Sequence, residues 1–225
     1  MHKGTTVAEK KSWEKWWREV IRHNGKVTQS PFNKKLSIDG KHVLDVGCGN
    51  LINEFYLGTK MASFVGVDLS KRALAKAKRI YPRANLVLAD AANLPFADNT
   101  FDVVVSTNVL FYLGGDFERS LKEITRVAAE AVVLNFAHSE RLKYTKGDER
   151  TFAGWKIYGE GYVGVDEASI AKFLNKRNYE VVNMDVRTAK KQVTTSIENG
   201  VVKHTEIPWD RELRSEIYVE ATKRG

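Results

Sequence analysis

Five short apolar runs between residues 41 and 136 restrict the fold of this chain more than any other feature. The runs are KHVLDV, SFVGVD, NLVLAD, FDVVVS and AVVLNF. They are continuously apolar, which is typical of parallel strands that helices cover on both faces. Between them lie helical segments, one opened by the capping Ser70 and closed before Pro82, another beginning near Asp116. The first 137 residues therefore predict a doubly wound α/β unit.

Two further helices are predicted nearer the N-terminus. The segment SWEKWWREVI places Trp13, Trp16, Trp17, Val20 and Ile21 on one face at helical spacing, with charged residues opposite. The second of these helices is predicted from about Leu51 to Lys60. We expect residues 1–40 to form an amphipathic helical flank and residues 41–225 to form one domain.

The composition excludes several protein classes. The single cysteine, Cys48, cannot form an internal disulfide or contribute to a cysteine cluster for zinc or iron. No run of 18 apolar residues is present, and the N-terminal residues lack the apolar core of a signal peptide. We therefore expect a soluble cytoplasmic protein that does not associate with a membrane.

The net charge of +8 is concentrated at the N-terminus. Residues 1–41 contain ten lysines and arginines against four acidic residues. Such a flank favours an anionic partner such as RNA, although a solvated, lysine-rich helix face is the commoner explanation.

The stretch HVLDVGCGN, residues 42–50, indicates a ligand at the end of the first strand. Gly47 and Gly49 mark a tight turn where a ligand approaches bare backbone. The third glycine of a dinucleotide fingerprint is replaced by Ile52, and Asp45 would repel a pyrophosphate. A phosphate-free cofactor with a positive sulfonium and an ammonium group tolerates that acid, so the stretch points to S-adenosylmethionine.

Two more acids end the next two predicted strands. Asp68 follows Gly49 by nineteen residues, where a carboxylate accepts hydrogen bonds from ribose hydroxyls, and Asp90 ends the third strand. Each acid alone is as well explained by a helix cap or a solvated strand end. Together they predict three carboxylates at the carboxyl edge of one sheet.

The motifs VLDVGCGN, VGVDLS, LADAANLPFADNTFDVVVS and EITRVAAEAVVL resemble those of class I S-adenosylmethionine-dependent methyltransferases. The similarity is greatest to the UbiE-like, methyltransferase type 11 group. VDEASIAKFLNKRNYEVVNMDV and SEIYVEATKR resemble the family's fifth helix with its sixth strand and its final strand. The resemblance implies a Rossmann-like, seven-stranded, doubly wound sheet with an antiparallel last strand. Strand-like runs around Asn199-Gly200 predict an extra hairpin before that strand.

The resemblance also implies a cofactor site along the ends of the first four strands. The residues that it assigns are Asp45, Gly47, Cys48, Gly49 and Asn50 for the methionine moiety, Asp68 for the ribose, Leu69, Asp90 and Ala91 for adenine, and Thr107 and Asn108 for the amino-acid end and the acceptor. The chain departs from the family at Leu51, where a further glycine is common, and at AAEA, which replaces a Pro-Gly-Gly turn.

The chemistry of methyl transfer asks little of the protein. An activated methyl group needs a nucleophile held in line with water excluded, so positioning supplies most of the acceleration and no catalytic residue is assigned. Where the acceptor must lose a proton, His138 is the best-placed base, with Tyr112 as an orienting group at the acceptor. The five histidines show no metal-ligand spacing, so no metal is expected.

Three functions remain compatible with these patterns. The favoured one is a methyltransferase acting on a small molecule, because the Asn-Pro-Pro-Tyr motif of several base and glutamine methyltransferases is absent. The second is an RNA (modified nucleoside) or protein methyltransferase that uses the basic flank. The third is an inactive binding module on a nucleotide-binding fold, which the three acids at successive strand ends disfavour.

Overall fold

The computed structural model describes residues 36–50, 60–142, 149–152, 155–158, 162–198 and 201–225. The predicted tryptophan helix and residues 51–59 of the second predicted helix lie outside the described residues. The division of the chain at residue 40 therefore stays a prediction.

Ten strands of the described residues belong to one mixed sheet. The strands are β1 (His42–Val46), β2 (Ser63–Asp68), β3 (Asn85–Leu88), β4 (Phe101–Ser106), β5 (Ala128–His138), β6 (Glu149–Phe152), β7 (Trp155–Tyr158), β8 (Tyr162–Val165), β9 (Tyr179–Glu198) and β10 (Val201–Lys223). The α-helices are α1 (Lys71–Ile80), α2 (Phe117–Val127), α3 (Ser139–Leu142) and α4 (Glu167–Lys176), and short 3-10 turns span Leu110–Tyr112 and Gly114–Asp116.

Seven of the strands follow the order β3-β2-β1-β4-β5-β10-β9. The first five are mutually parallel, whereas β10 runs antiparallel to both β5 and β9. The predicted Rossmann-like sheet with an antiparallel last strand is confirmed. Because β1 to β5 are parallel, their carboxyl ends meet at one edge of the sheet, which we call the carboxyl edge.

The predicted late hairpin is a continuation of β9 and β10 rather than a separate unit. The two strands stay paired from Tyr179 opposite Lys223 to Glu198 opposite Val201, with register shifts along the way. The turn at Asn199-Gly200 lies outside the described residues. The sequence pattern correctly predicted that the segments before and after residues 199–200 pair as antiparallel strands.

A three-stranded meander, β6 to β8, extends the sheet beyond the carboxyl edge. Ala137 near the end of β5 pairs with Glu216 of β10 on one side and with Gly164 of β8 on the other. Because β4 pairs with β5 only as far as Leu134, β8 occupies the position next to β5 where β4 has ended. The sequence patterns did not predict these three strands.

The sheet buries different side chains on its two faces. On one face Leu121 and Ile124 of α2 and Ile170 and Leu174 of α4 are fully buried in the main core. On the other face, which we call the second face, Ile38 packs with a smaller cluster of valines from β1, β4 and β5. Burial of such side chains stabilises each by about 1.5–3 kcal/mol relative to exposure.

Side-chain caps position the helices that follow β2 and β8. The Ser70 hydroxyl accepts a hydrogen bond from the Ala73 N–H at 3.2 Å and opens α1 directly after β2. The Asp166 carboxylate accepts from the Ser169 N–H at 2.7 Å and opens α4. This N–H donor lowers the pKa of Asp166, as expected for a capping carboxylate.

Arg126 of α2 holds the loop that connects β3 to β4. Its guanidinium donates to both carboxylate oxygens of Glu123 at 2.8 Å, and it also reaches the carbonyl oxygens of Leu94 at 3.2 Å and Phe96 at 2.8 Å. Glu123 in turn accepts from the Leu94 N–H at 2.9 Å. The arginine lowers the pKa of Glu123, so this carboxylate stays ionised beside it.

Arg126→Lys should therefore destabilise the protein by about 1–3 kcal/mol, because an ammonium group cannot reproduce the forked hydrogen bonds. Arg119→Lys is the matched control on the same helix, since the Arg119 side chain is more exposed than that of Arg126, 38% against 26%, and one of its nitrogens pairs with Asp116. Urea denaturation should show less than about 0.5 kcal/mol for the control. Equal losses in both variants would contradict the anchoring role of Arg126.

Candidate functional site

The structure brings the three predicted acids to the carboxyl edge. Asp45 lies near the end of β1 with 2% of its surface exposed, and Asp68 ends β2 with 9% exposed. Asp90 lies two residues beyond β3 and is half-buried. Because β1, β2 and β3 are adjacent and parallel, these carboxylates project from one end of the sheet.

The loop between Gly47 and Gly49 depends on the absence of side chains. Gly47 has a φ of +79° and Gly49 a φ of +54°, in the left-handed region that glycine adopts at little cost. The N–H groups of Gly47 and Cys48 both donate to the Val67 carbonyl oxygen, at 2.7 and 2.9 Å. A Cβ atom at Gly47 would lie only 2.1 Å from Cγ2 of Val109. The loop is thus packed tightly between β2 and the segment after β4.

Asp68 holds this loop and the start of α1 with its two carboxylate oxygens. Oδ2 accepts a hydrogen bond from the Gly49 N–H at 2.9 Å, and Oδ1 accepts from the Ser70 N–H at 2.7 Å. A carboxylate has about four acceptor sites. The two backbone hydrogen bonds are therefore compatible with further donors such as ribose hydroxyls.

Cys48 and Asn50 are buried within the same loop, with 7% and 3% of their surfaces exposed. The Cys48 side chain packs against Gly66 and the α1 residues Leu74 and Ala77. Burial, followed by the nearby carboxylates of Asp45 and Asp68, raises the pKa of the thiol. Cys48 is consequently a neutral packing residue, not a nucleophile.

The segment after β3 forms a tight turn at Asp90. Its side chain accepts from the Ala92 N–H at 3.0 Å, and its carbonyl oxygen accepts from the Asn93 N–H at 2.9 Å. Ala91 and Leu69 are both half-buried beside the acids that precede them. At the ends of β2 and β3, an acidic residue is thus followed directly by a half-buried apolar residue, and the adenine assignment stays a prediction.

The segment after β4 contains Thr107, which is half-buried, and Asn108, which is exposed. Asn108 has a φ of +59°, a conformation that non-glycine residues adopt uncommonly. Its N–H donates to Oδ1 of Asn135 in β5 at 2.6 Å. Sequence reasoning missed Asn135, because an asparagine inside the apolar run AVVLNF gives no indication of its partner.

Tyr112 lies in the 3-10 turn that follows this segment and is 39% exposed. Its ring centroid is 5.4 Å from that of Tyr162, the first residue of β8, which is 37% exposed. The two rings form an exposed aromatic pair between the end of β4 and the meander. Tyr162 was not among the predicted site residues.

His138 at the end of β5 is almost completely buried, with 3% of its surface exposed. Its Nδ1 accepts a hydrogen bond from the Glu140 N–H at 3.0 Å, so the ring proton lies on Nε2. Nε2 is 3.2 Å from Oε2 of Glu167 in α4. Both ring nitrogens therefore have partners within the protein, an arrangement that joins β5 to α4.

Two classes of site are absent from the part of the chain that the structure describes. Among these residues, no group of three or more histidine, cysteine, aspartate or glutamate side chains is arranged to hold a metal ion. None of the helices over the same residues has the length and apolar composition needed to cross a membrane.

A family model described as a methyltransferase domain matches residues 44–134. This part of the chain is therefore similar to methyltransferase domains. The matched range runs from β1 into β5 and includes the whole predicted cofactor site. Tyr112 also lies within the matched range, whereas His138 lies beyond its end.

Two curated relatives match part of this chain. Over 97 residues it is 36% identical to phthiotriol/phenolphthiotriol dimycocerosates methyltransferase of Mycobacterium tuberculosis, covering 41% of this chain and 36% of that protein. Over 128 residues it is 30% identical to norajmaline N-methyltransferase of Rauvolfia serpentina, covering 49% of this chain and 42% of that protein. The match spans less than half the length of either relative.

Among solved structures, an S-adenosylmethionine-dependent methyltransferase from Mesorhizobium loti superposes with a TM-score of 0.59 at 15% sequence identity. The superposition covers 84% of this chain and 93% of that one. At this identity the similarity shows the fold alone, and it extends beyond residues 44–134 into the remainder of the chain.

Gly47→Ala should lower the free energy of unfolding by about 2–5 kcal/mol, because the new side chain meets Val109 and the positive φ is strained. Gly40→Ala is the control, since Gly40 also has a positive φ, +72°, but a Cβ there has no atom within 4 Å. It should cost only about 1–2 kcal/mol. Denaturant unfolding that ranks the two variants equally would contradict the close contact between the loop and Val109.

Proposed function

We propose that this chain is an S-adenosylmethionine-dependent methyltransferase that transfers a methyl group to a small-molecule acceptor by in-line displacement. The observation that carries the proposal is the arrangement at Asp68. One carboxylate both anchors the glycine loop through the Gly49 N–H and lies where a ribose is expected. The match of residues 44–134 to a methyltransferase domain supports the same conclusion.

The residues of the carboxyl edge fit S-adenosylmethionine chemically. The cofactor carries a positive sulfonium and an ammonium group and has no phosphate, so acids favour it and would repel a dinucleotide. Asp45 and Asp68 are both buried, where charge complementarity counts more than in water. Positive φ angles at Gly47 and Gly49 leave bare backbone for a close approach.

Each part of the edge has a proposed task. Asp45 and the loop to Asn50 hold the methionine moiety, Asp68 accepts from the ribose hydroxyls, and Leu69, Asp90 and Ala91 surround adenine. Thr107 and Asn108 face the amino-acid end and the acceptor. When bound, the cofactor supplies a methyl group activated by positive sulfur, and the protein contributes position and exclusion of water.

For the acceptor, the exposed aromatic pair favours a small organic molecule. Tyr112 and Tyr162 offer adjacent ring surfaces at the carboxyl edge, which suit an apolar or aromatic body. The names of two relatives, a dimycocerosate methyltransferase and norajmaline N-methyltransferase, also indicate small-molecule acceptors for those proteins. The RNA and protein alternatives depend on the basic flank, of which residues 1–35 lie outside the described residues.

A base at the acceptor has weaker support than the cofactor site. His138 would have to lose the hydrogen bond from the Glu140 N–H before its Nδ1 could accept a proton from an acceptor. Its burial and its two partners suit a structural role. We therefore propose Tyr112 as the acceptor contact and positioning as the main source of acceleration.

Asp68→Ala should weaken binding of S-adenosylmethionine by about ten- to a hundredfold, since hydrogen bonds to a charged group are lost from the ribose and from the loop. Asp102→Ala is the matched control: Asp102 also accepts a backbone N–H, from His42 at 2.7 Å, but near the amino end of β4. Isothermal titration calorimetry on both folded variants tests the assignment. Unchanged affinity in Asp68→Ala would remove Asp68 from the site.

A further inference from the structure

We propose that Asn135 is a positioning residue of the cofactor site. Its buried side-chain amide sets the conformation of Asn108 and Val109, and this segment closes one side of the glycine loop. The inference rests on the proposed function, because the loop is the part of the chain assigned to S-adenosylmethionine.

The backbone hydrogen bonding between β4 and β5 ends where β4 ends. The pairing of β4 with β5 stops at Ser106 opposite Leu134, so the next residues of the chain lose their strand partners. Asn135 replaces that partner with its side chain. Its Oδ1 accepts from the Asn108 N–H at 2.6 Å, and its Nδ2 donates to Oδ1 of Asn108 at 3.3 Å. This two-point contact holds Asn108 at its φ of +59°.

The Asn135 amide is oriented by a tyrosine of β10. Asn135 is completely buried on the second face and lies opposite Tyr218 of β10. The Tyr218 hydroxyl hydrogen-bonds with the Asn135 side chain and donates to Glu216. Burial raises the pKa of Tyr218, so its hydroxyl stays protonated and can accept from Asn135 while donating to Glu216. This chain of hydrogen bonds fixes which end of the amide faces Asn108.

Val109 connects Asn108 to the glycine loop. Val109 follows Asn108 directly, and its side chain lies where a Cβ of Gly47 would be, 2.1 Å from Cγ2. A change in the backbone angles of Asn108 must therefore move Val109 relative to Gly47. Because displacement of about 1 Å in a binding site is costly, the Asn135 amide should influence cofactor affinity without touching the cofactor.

The test uses S-adenosylhomocysteine as the probe and compares affinity with thermal stability. Asn135→Leu keeps the approximate side-chain size but removes both hydrogen-bonding groups of the amide. We expect the dissociation constant for S-adenosylhomocysteine, measured by calorimetry, to increase about tenfold. Tyr179→Phe is the matched control. It removes a buried hydroxyl that donates to the carbonyl oxygens of Thr125 in α2 and of Ala128, the first residue of β5. This control should lower the melting temperature while leaving the dissociation constant unchanged.

A double variant separates positioning from general loosening of the structure. Glycine adopts a φ near +59° at little cost, so Asn108→Gly should reduce the need for the Asn135 amide. In that background, we expect Asn135→Leu to weaken binding by less than about threefold, against about tenfold in the wild-type background. If Asn135→Leu does not fold, Tyr218→Phe takes its place, with an expected loss of about two- to fivefold.

The outcomes distinguish this inference from the proposed function. Wild-type protein that binds S-adenosylhomocysteine, together with unchanged affinity in Asn135→Leu or in the replacement Tyr218→Phe, would overturn the positioning role alone. An equal loss of affinity in Tyr179→Phe would also overturn it, because the effect would then follow stability. Failure of the wild-type protein to bind the probe would overturn the proposed function and this inference with it.

Discussion

The carboxylate of Asp68 joins the three segments on which the carboxyl edge depends. One oxygen holds the Gly49 N–H of the glycine loop, the other holds the Ser70 N–H at the start of α1, and the residue itself ends β2. These hydrogen bonds fix the position of a loop that turns through two glycines with positive φ. They also explain how one acid serves both the fold and a proposed ribose contact.

The opposite side of the loop is defined by packing rather than by charge. Val109 fills the space that a side chain at Gly47 would need, and the Ser106 hydroxyl donates to the Val46 carbonyl oxygen at 3.0 Å. The ends of β1 and β4 are thereby held together. The cofactor loop thus lies between an electrostatic anchor on β2 and a steric one after β4.

Local patterns were sufficient to predict most of the fold. Apolar runs located β1 to β5, and the cap at Ser70 located α1 because its hydrogen bond is made within one turn of the chain. The acids were predicted from their positions at strand ends, since parallel strands must share an edge. Long-range side-chain partners were not predictable in this way: Asn135 finds Asn108 across 27 residues, and His138 finds Glu167 across 29. The meander was also missed, because three short strands with mixed polarity lack a clear period.

The meander forms a surface next to the carboxyl edge. Beyond the end of β4, β5 pairs with β8 instead. Tyr162 of β8 therefore lies beside Tyr112. The parallel strands supply the carboxyl edge, and the meander supplies the surface beside it. Under the proposed function, selectivity for the acceptor is therefore expected from the meander rather than from residues 44–134.

A crystal structure of the protein grown with S-adenosylhomocysteine tests the central claim most directly. We expect both ribose hydroxyls at about 2.7 Å from the Asp68 carboxylate, with the amino-acid end of the ligand against the backbone of Gly47 and Gly49. Ligand density at another part of the molecule, or a ribose that does not contact Asp68, would contradict it.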